Sequence, residues 1–158
     1  MKKYIISIDA GTTSNRAILF DLKGKPVFTS QKEFTQFFPK SGWVEHNPEE
    51  IWNTTKKVLK DVILKSKKLK GKILTVGITN QRETTVLWNK KTGKPIYNAI
   101  VWQDRRQAEY CKKLKKQNKE TLIFNKTGLP IDSYFSGTKI KWILDNVSLA
   151  RKLMNKKQ

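Results

Sequence analysis

The residues Asp9-Ala10-Gly11-Thr12-Thr13-Ser14-Asn15-Arg16 combine the side-chain types that bind phosphate. Glycine permits close approach of the backbone, and main-chain N–H groups and hydroxyls donate hydrogen bonds to phosphate oxygens. An arginine adds positive charge, and a carboxylate can hold Mg²⁺ through water. The pattern is neither a Walker A loop nor the Gly-x-Gly-x-x-Gly dinucleotide motif. An ordinary polar hairpin turn, in which Asp9 caps its own backbone, explains the spacing equally well.

A second polar cluster, residues 80–83, follows an apolar segment and contains Arg82 and Glu83. Arginine donates hydrogen bonds in a fork and glutamate accepts them, which suits a polyol whose hydroxyls both give and receive. From the residues alone, a surface ion pair of little energetic value is the better explanation. Tyr134 is able to add a phenol to the same pocket, although an aromatic anchor before a helix is the commoner role for such a residue.

The elements that must position these residues are indicated by hydrophobic periodicity. Apolar segments at residues 4–9, 16–20 and 27–34, separated by turn residues, predict three strands in a meander. Asn47-Pro48-Glu49-Glu50 is typical of a helix start, and apolar residues at three- and four-residue steps extend that helix to about residue 69. Residues 73–78 then predict a buried strand that leads into the second polar cluster.

The remainder of the chain predicts shorter elements. Residues 36–46 mix aromatic residues with Pro and Gly and favour a loop, whereas residues 84–88 and 99–102 favour strands. From residue 104 onward the spacing is helical, with Cys111 in an apolar seam that indicates a core position. Early strands, one helix, a further strand and then helices predict a mixed α/β fold.

The amino-acid composition limits the classes of function that this protein can have. The 33 Lys and Arg residues against 13 Asp and Glu give a net charge of +20, but only five of the 33 are Arg and the lysines are scattered in pairs. This pattern favours solvated surfaces over a specific nucleic-acid interface. One Cys and one His exclude an intramolecular disulfide, multi-cysteine zinc sites and His-pair metal sites. No apolar run is long enough for membrane insertion, and export is not indicated, so we expect a cytoplasmic protein.

Five segments of the sequence together are more informative than any single motif. They are residues 9–16, 41–52, 77–85, 93–103 and 133–139, the last together with Trp142. These segments resemble the FGGY carbohydrate kinases, and within them the glycerol kinases, and they occur in the family's order along essentially the whole chain.

The resemblance implies an actin-like ATPase, or ribonuclease H-like, N-terminal domain over residues 1–158, a mixed sheet with flanking helices. It implies that ATP with Mg²⁺ phosphorylates glycerol, and it gives the residues roles. Those expected at the ATP phosphates are Thr12, Thr13, Ser14 and Arg16, with Asp9 beside the metal; those expected at the glycerol hydroxyls are Arg82, Glu83 and Tyr134.

The resemblance also implies that the catalytic base and the adenine-binding half are supplied by residues outside this sequence. We therefore assign no catalytic residue here and expect the chain alone to be inactive. Ala10 and Ser133 depart from the glycerol kinase pattern. A related kinase for a pentulose or gluconate is the main alternative, and a basic, non-catalytic nucleic-acid-binding module is a weaker one. A homo-oligomer of the full-length enzyme is a further possibility under this resemblance.

Overall fold

The computed structural model describes all residues from Met1 to Gln158. The chain divides into two compact units, which we call the sheet unit (Met1–Thr35 and Glu49–Gln81) and the helical unit (Gln36–Pro48 and Arg82–Gln158). It contains six strands and five helices. In chain order these are β1 (Lys2–Ala10), β2 (Ser14–Asp21), β3 (Pro26–Glu33), β4 (Glu45–His46), α1 (Pro48–Lys68), β5 (Gly71–Thr79), β6 (Ala99–Ile100), α2 (Ala108–Lys116), α3 (Glu120–Thr127), α4 (Ser136–Asn146) and α5 (Ser148–Asn155).

The sheet unit contains a mixed four-stranded sheet in the order β3-β2-β1-β5. The first three strands are antiparallel neighbours, and β5 pairs parallel with β1 after the chain has crossed over through α1. A parallel neighbour requires such a crossover, because a tight turn can only join antiparallel strands. The predicted meander, the long helix and the mixed α/β character are all confirmed.

The core of the sheet unit follows from two periodicities. In β1, alternate residues are buried, as expected for a strand with one face on the core, and in α1 the buried residues recur every fourth position. The apolar members form one cluster with the inward side chains of β2; they are Tyr4, Ile6, Ile8, Ala17, Leu19, Val58 and Val62. The core therefore lies between one sheet face and one helix.

The prediction that residues 73–78 form a buried strand is only half right. The strand exists as β5, but Leu74, Val76 and Ile78 are exposed, Ile78 to 73%. Because β5 lies at the edge of the sheet and only its Ile73 packs against the core cluster, most of its apolar side chains have no core to enter. A continuous apolar run predicts burial on both faces, and here that inference was wrong.

The helical unit is built from four helices and the two-residue pair β4–β6. Glu45 and His46 of β4 are buried, so the predicted surface loop over residues 36–46 is wrong at its end. The predicted strand at residues 84–88 is also not formed, since Thr85 and Trp88 make only isolated bridges to Ile100 and Pro95. Proline lacks the N–H that would continue such a ladder.

Arg106 is the charged centre of the helical unit. Its guanidinium lies 3.9 Å from the ring centroid of Trp43 and 4.4 Å from that of Trp142. Its Nη2 donates to Glu45 Oε1 and Asp104 Oδ2, each at 2.8 Å, and all three charged side chains are almost fully buried. The cluster compensates a buried cation with two carboxylates and two aromatic faces.

None of the helices has the length and apolar character that crossing a bilayer requires.

Candidate functional site

The first candidate site is the turn between β1 and β2, in the sheet unit. The Gly11 N–H donates to the Ser14 carbonyl at 3.0 Å, which closes a tight turn around Thr12 and Thr13. A Cβ at position 11 would lie 2.9 Å from that carbonyl oxygen, so the turn requires glycine. The predicted turn is thus present, and its hydroxyl residues lie at its tip.

Charged residues flank this turn. Asp9 and Arg16 are direct partners across the two antiparallel strands, and Arg16 Nη2 donates to Asp9 Oδ2 at 2.7 Å. Both side chains are partly exposed, so the ion pair itself contributes little stability. Ser14 Oγ accepts a hydrogen bond from Gln31 Nε2 at 2.9 Å. The structure therefore brings all five predicted nucleotide and metal residues to one end of the strand pair.

Asn15 anchors the turn to α1, a role that the sequence reasoning missed. Its side chain is fully buried, and its Nδ2 donates to the Ile51 carbonyl at 2.9 Å and to Thr54 Oγ1 at 2.6 Å. Buried amides are retained where each donor finds an acceptor. The available signal was an asparagine at an inward position of a strand, with Ala17 and Leu19 continuing the same face.

The second candidate site lies in the helical unit, where Glu83 contacts the first turn of α4. Glu83 Oε2 accepts hydrogen bonds from the Ser136 N–H at 3.0 Å and from Ser136 Oγ at 2.8 Å. The residue preceding the helix, Phe135, supplies no side-chain cap, so the Glu83 carboxylate does so from 53 residues away. Arg82 is exposed and does not pair with Glu83, which contradicts the surface ion pair that the residues alone favoured.

Tyr134 joins this site through the turn that precedes α4. Its main-chain N–H donates to Asp132 Oδ1 at 2.7 Å, and its ring meets Phe135 and Trp102 edge-on, with centroid distances of 5.2 and 6.1 Å. Trp102, assigned only to a strand from its sequence, is therefore a second residue whose place at the site was missed. Aromatic packing fixes the orientation of the ring, so Tyr134 anchors the turn that precedes α4.

Glu83 and Tyr134 are linked by a buried lysine that the sequence analysis did not single out. Lys139 Nζ donates to the Glu83 carbonyl at 2.8 Å and to the Tyr134 carbonyl. Burial lowers the pKa of Lys139 to about 8. The only available signal was its position four residues before the buried Ile143, on the same helix face.

The single cysteine and the single histidine of the chain are both buried. Cys111 is buried, as predicted, and burial raises the pKa of its thiol. His46 is buried and lies 2.6 Å from Gln36 Oε1 through Nε2. Nowhere in the chain do three His, Cys, Asp or Glu side chains gather as metal ligands. A groove of about 480 Å³ borders Glu83 and Ser136, but its lining is mostly apolar side chains from α2, α3 and the segment 129–135 that joins α3 to α4, which does not suit a polyol.

Residues 4–157 match the N-terminal domain of the FGGY family of carbohydrate kinases. The chain belongs to this family. A relative named glycerol kinase, from Alkaliphilus metalliredigens, is 62% identical over 96% of the chain. Another from Petrotoga mobilis is 58% identical over the same share. In both cases the chain spans 30% of the relative's length.

Solved structures of FGGY kinases share the fold of this chain. A crystal structure of Plasmodium falciparum glycerol kinase with ADP superposes with a TM-score of 0.91 at 34% identity, over 99% of this chain and 31% of that one. A ligand-bound xylulose kinase from Lactobacillus acidophilus gives 0.85 at 25% identity, over 95% and 30%. The predicted actin-like fold of the FGGY kinases is confirmed, and so is the predicted family.

Proposed function

We propose that residues 1–158 form the N-terminal domain of a glycerol kinase, which transfers the γ-phosphoryl group of ATP to glycerol and yields sn-glycerol 3-phosphate. The observation that carries the proposal is the convergence of Glu83 and Tyr134 at the start of α4, next to the exposed Arg82. The 62% identity to a protein named glycerol kinase supports glycerol as the acceptor.

Arg82, Glu83 and Tyr134 are the acceptor-binding residues in this proposal. Glu83 uses Oε2 for Ser136, which leaves Oε1 to accept a hydrogen bond from a glycerol hydroxyl. Arg82 supplies donors, and the Tyr134 phenol can donate or accept. A triol needs this combination, because each hydroxyl both gives and receives.

The turn between β1 and β2 is the phosphate-binding element. Main-chain N–H groups and hydroxyls of Thr12, Thr13 and Ser14 would donate to the ATP phosphates, and Arg16 would neutralise charge. ADP in the Plasmodium falciparum glycerol kinase supports an adenine nucleotide. We also propose a cytoplasmic location, since ATP is available there.

Asp9 fits the Mg²⁺ that accompanies ATP. Mg²⁺ in kinases is usually held by one or two carboxylates, substrate phosphates and water, and a partly exposed carboxylate at the end of the phosphate turn meets that requirement. When bound, the ion supplies positive charge to the transferred phosphoryl group. Asp9 uses Oδ2 for Arg16, which leaves Oδ1 for the ion or for its water ligands.

Glycerol hydroxyls are weak nucleophiles at neutral pH, so phosphoryl transfer needs a positioned base. We assign none to these residues. Their contribution is orientation of the acceptor and charge stabilisation of the phosphates.

The experiment is a chimera in which residues 1–158 replace the matching N-terminal residues of the Alkaliphilus metalliredigens glycerol kinase. Phosphorylation of glycerol, xylulose and gluconate is measured with saturating MgATP, and the unaltered relative is the control. We expect kcat/KM to be highest for glycerol. A chimera that melts like the control but prefers xylulose or gluconate, or phosphorylates none of the three, contradicts the proposal.

A further inference from the structure

Lys139 is the most deeply buried lysine that the proposed function leaves without a role. Only 1% of its surface is exposed, and none of the ion pairs in the chain includes it. Its ammonium group instead donates to two main-chain carbonyls, those of Glu83 and Tyr134. These two residues lie 51 positions apart in the sequence, and both belong to the proposed acceptor site.

Ser136 and Lys139 lie three positions apart on α4, so they share one helix face. Ser136 binds the carboxylate of Glu83, and Lys139 binds its carbonyl. Glu83 has a φ of 62°, a left-handed conformation that is unfavourable for a residue with a side chain. Such a conformation persists where several surrounding contacts together hold the residue in it. Contacts at both ends of Glu83 provide that constraint.

Burial of this ammonium group is energetically costly. Removing an ammonium group from water is unfavourable unless the charge is paired, and two neutral carbonyls compensate less than a carboxylate would. Burial accordingly lowers the pKa of Lys139 to about 8, although Glu83, Asp104 and Asp132 act in the opposite direction. An apolar side chain of similar length would avoid the desolvation. What the lysine provides instead is a fixed distance between two carbonyls.

We propose that Lys139 is a positioning residue that fixes the Glu83 carboxylate and the Tyr134 phenol relative to one another for acceptor binding. The proposal rests on the proposed function for its consequence in catalysis, but not for its structural content. Lys139 itself does not touch the acceptor. It acts through the backbone carbonyls of the two residues that do, and its Nζ also lies 5.8 Å from the centroid of the Tyr134 ring.

The structural content is tested in the 158-residue chain by amide hydrogen exchange of Ser136, whose N–H donates to the Glu83 carboxylate. Lys139→Met removes both carbonyl contacts, and we expect exchange of this amide to become at least about tenfold faster. Lys141→Met is the matched control, because Lys141 lies on the same helix and pairs with Asp145 at the surface. Unchanged Ser136 exchange in Lys139→Met overturns the proposal.

The consequence for catalysis is tested in the chimera. We expect Lys139→Met to raise the glycerol KM at least about tenfold, because small displacements of binding groups have large effects, while the ATP KM stays within about twofold. In a Glu83→Ala background the same substitution should raise the glycerol KM much less, since one of its two targets is already gone. A purely structural lysine would raise both KM values or act additively, and either result overturns the proposal.

Two further results keep the tests separate. If Lys139→Met prevents folding, Lys139→Gln, which is uncharged but still donates, should raise the glycerol KM above that of the unsubstituted chimera, by less than about tenfold. An unchanged glycerol KM overturns the proposal. If the unsubstituted chimera folds but does not phosphorylate glycerol, the proposed function fails. In that case accelerated Ser136 exchange still supports the positioning of Glu83 by Lys139.

Discussion

Replacing Glu83 by glutamine or by alanine separates its two contacts. One carboxylate oxygen accepts two hydrogen bonds from Ser136 at the start of α4, and the other is assigned to a glycerol hydroxyl. Glutamine keeps a carbonyl oxygen for Ser136 but loses the charge. Alanine loses both the cap and the acceptor. The two variants should therefore differ in stability and both weaken glycerol binding.

The magnitudes follow from the contacts. A hydrogen bond to a charged group contributes about 1.5–3 kcal/mol, so Glu83→Ala should raise the glycerol KM of the chimera about 10- to 150-fold. Glu83→Gln replaces the charged bond with a neutral one and should raise it about 5- to 15-fold. Loss of a helix cap lowers the free energy of unfolding by about 1 kcal/mol, which applies to alanine alone.

Urea unfolding of the 158-residue chain and steady-state kinetics of the chimera measure these effects. Glu109→Ala is the matched control, because Glu109 is exposed and pairs only with Lys112 on α2. Its glycerol KM should not change. The reasoning is refuted if Glu83→Ala and Glu83→Gln destabilise equally, or if either raises the ATP KM as much as the glycerol KM.

Four other outcomes are expected. Arg106→Met leaves Glu45 and Asp104 buried without their cation and should lower the free energy of unfolding by about 3–5 kcal/mol in urea titrations, against less than about 0.5 kcal/mol for Arg105→Met at the surface. Burial raises the pKa of the Glu45 carboxyl, but hydrogen bonds, including that from Arg106, lower it by a larger amount. The net pKa of Glu45 therefore lies below its ordinary value of 4.5. A lowered carboxyl pKa means that its stabilisation is complete above pH 4.5 and lost as the pH falls through the folded-state value, so acid titrations of Glu45→Gln should show a shallower decline below pH 4.5 than the parent. Arg16→Ala in the chimera should raise the ATP KM more than the glycerol KM, and the reverse order would contradict its assignment to phosphate. The 158-residue chain alone should show no glycerol-dependent ADP release in a coupled assay, and measurable turnover would disprove the absence of a base.

The sheet unit was largely predictable because its residues repeat with a clear period. Alternate burial in β1 and every fourth residue in α1 are properties of the local sequence, and Pro48 with two acidic residues sets the start of the helix. β5 differs because its exposure depends on its edge position in the sheet, which no local pattern specifies.

The residues of the proposed acceptor site could be named from the sequence, but the contacts between them could not. Glu83 and Ser136 are 53 residues apart, so the helix cap that they form has no local signal. Lysines are almost never fully buried without a charged partner, so the residue type of Lys139 predicts a surface position rather than the buried one that it has. The short strands β4 and β6 likewise lack a periodic pattern, since two residues cannot display one.

A crystal structure of the chimera with Mg²⁺, a non-hydrolysable ATP analogue and glycerol tests the central claim most directly. We expect phosphate oxygens to lie within about 3.2 Å of N–H or hydroxyl donors in the Thr12–Ser14 turn, and glycerol oxygens to contact Arg82, Glu83 and Tyr134. Phosphates bound away from the turn, or glycerol bound away from these three residues, would contradict it.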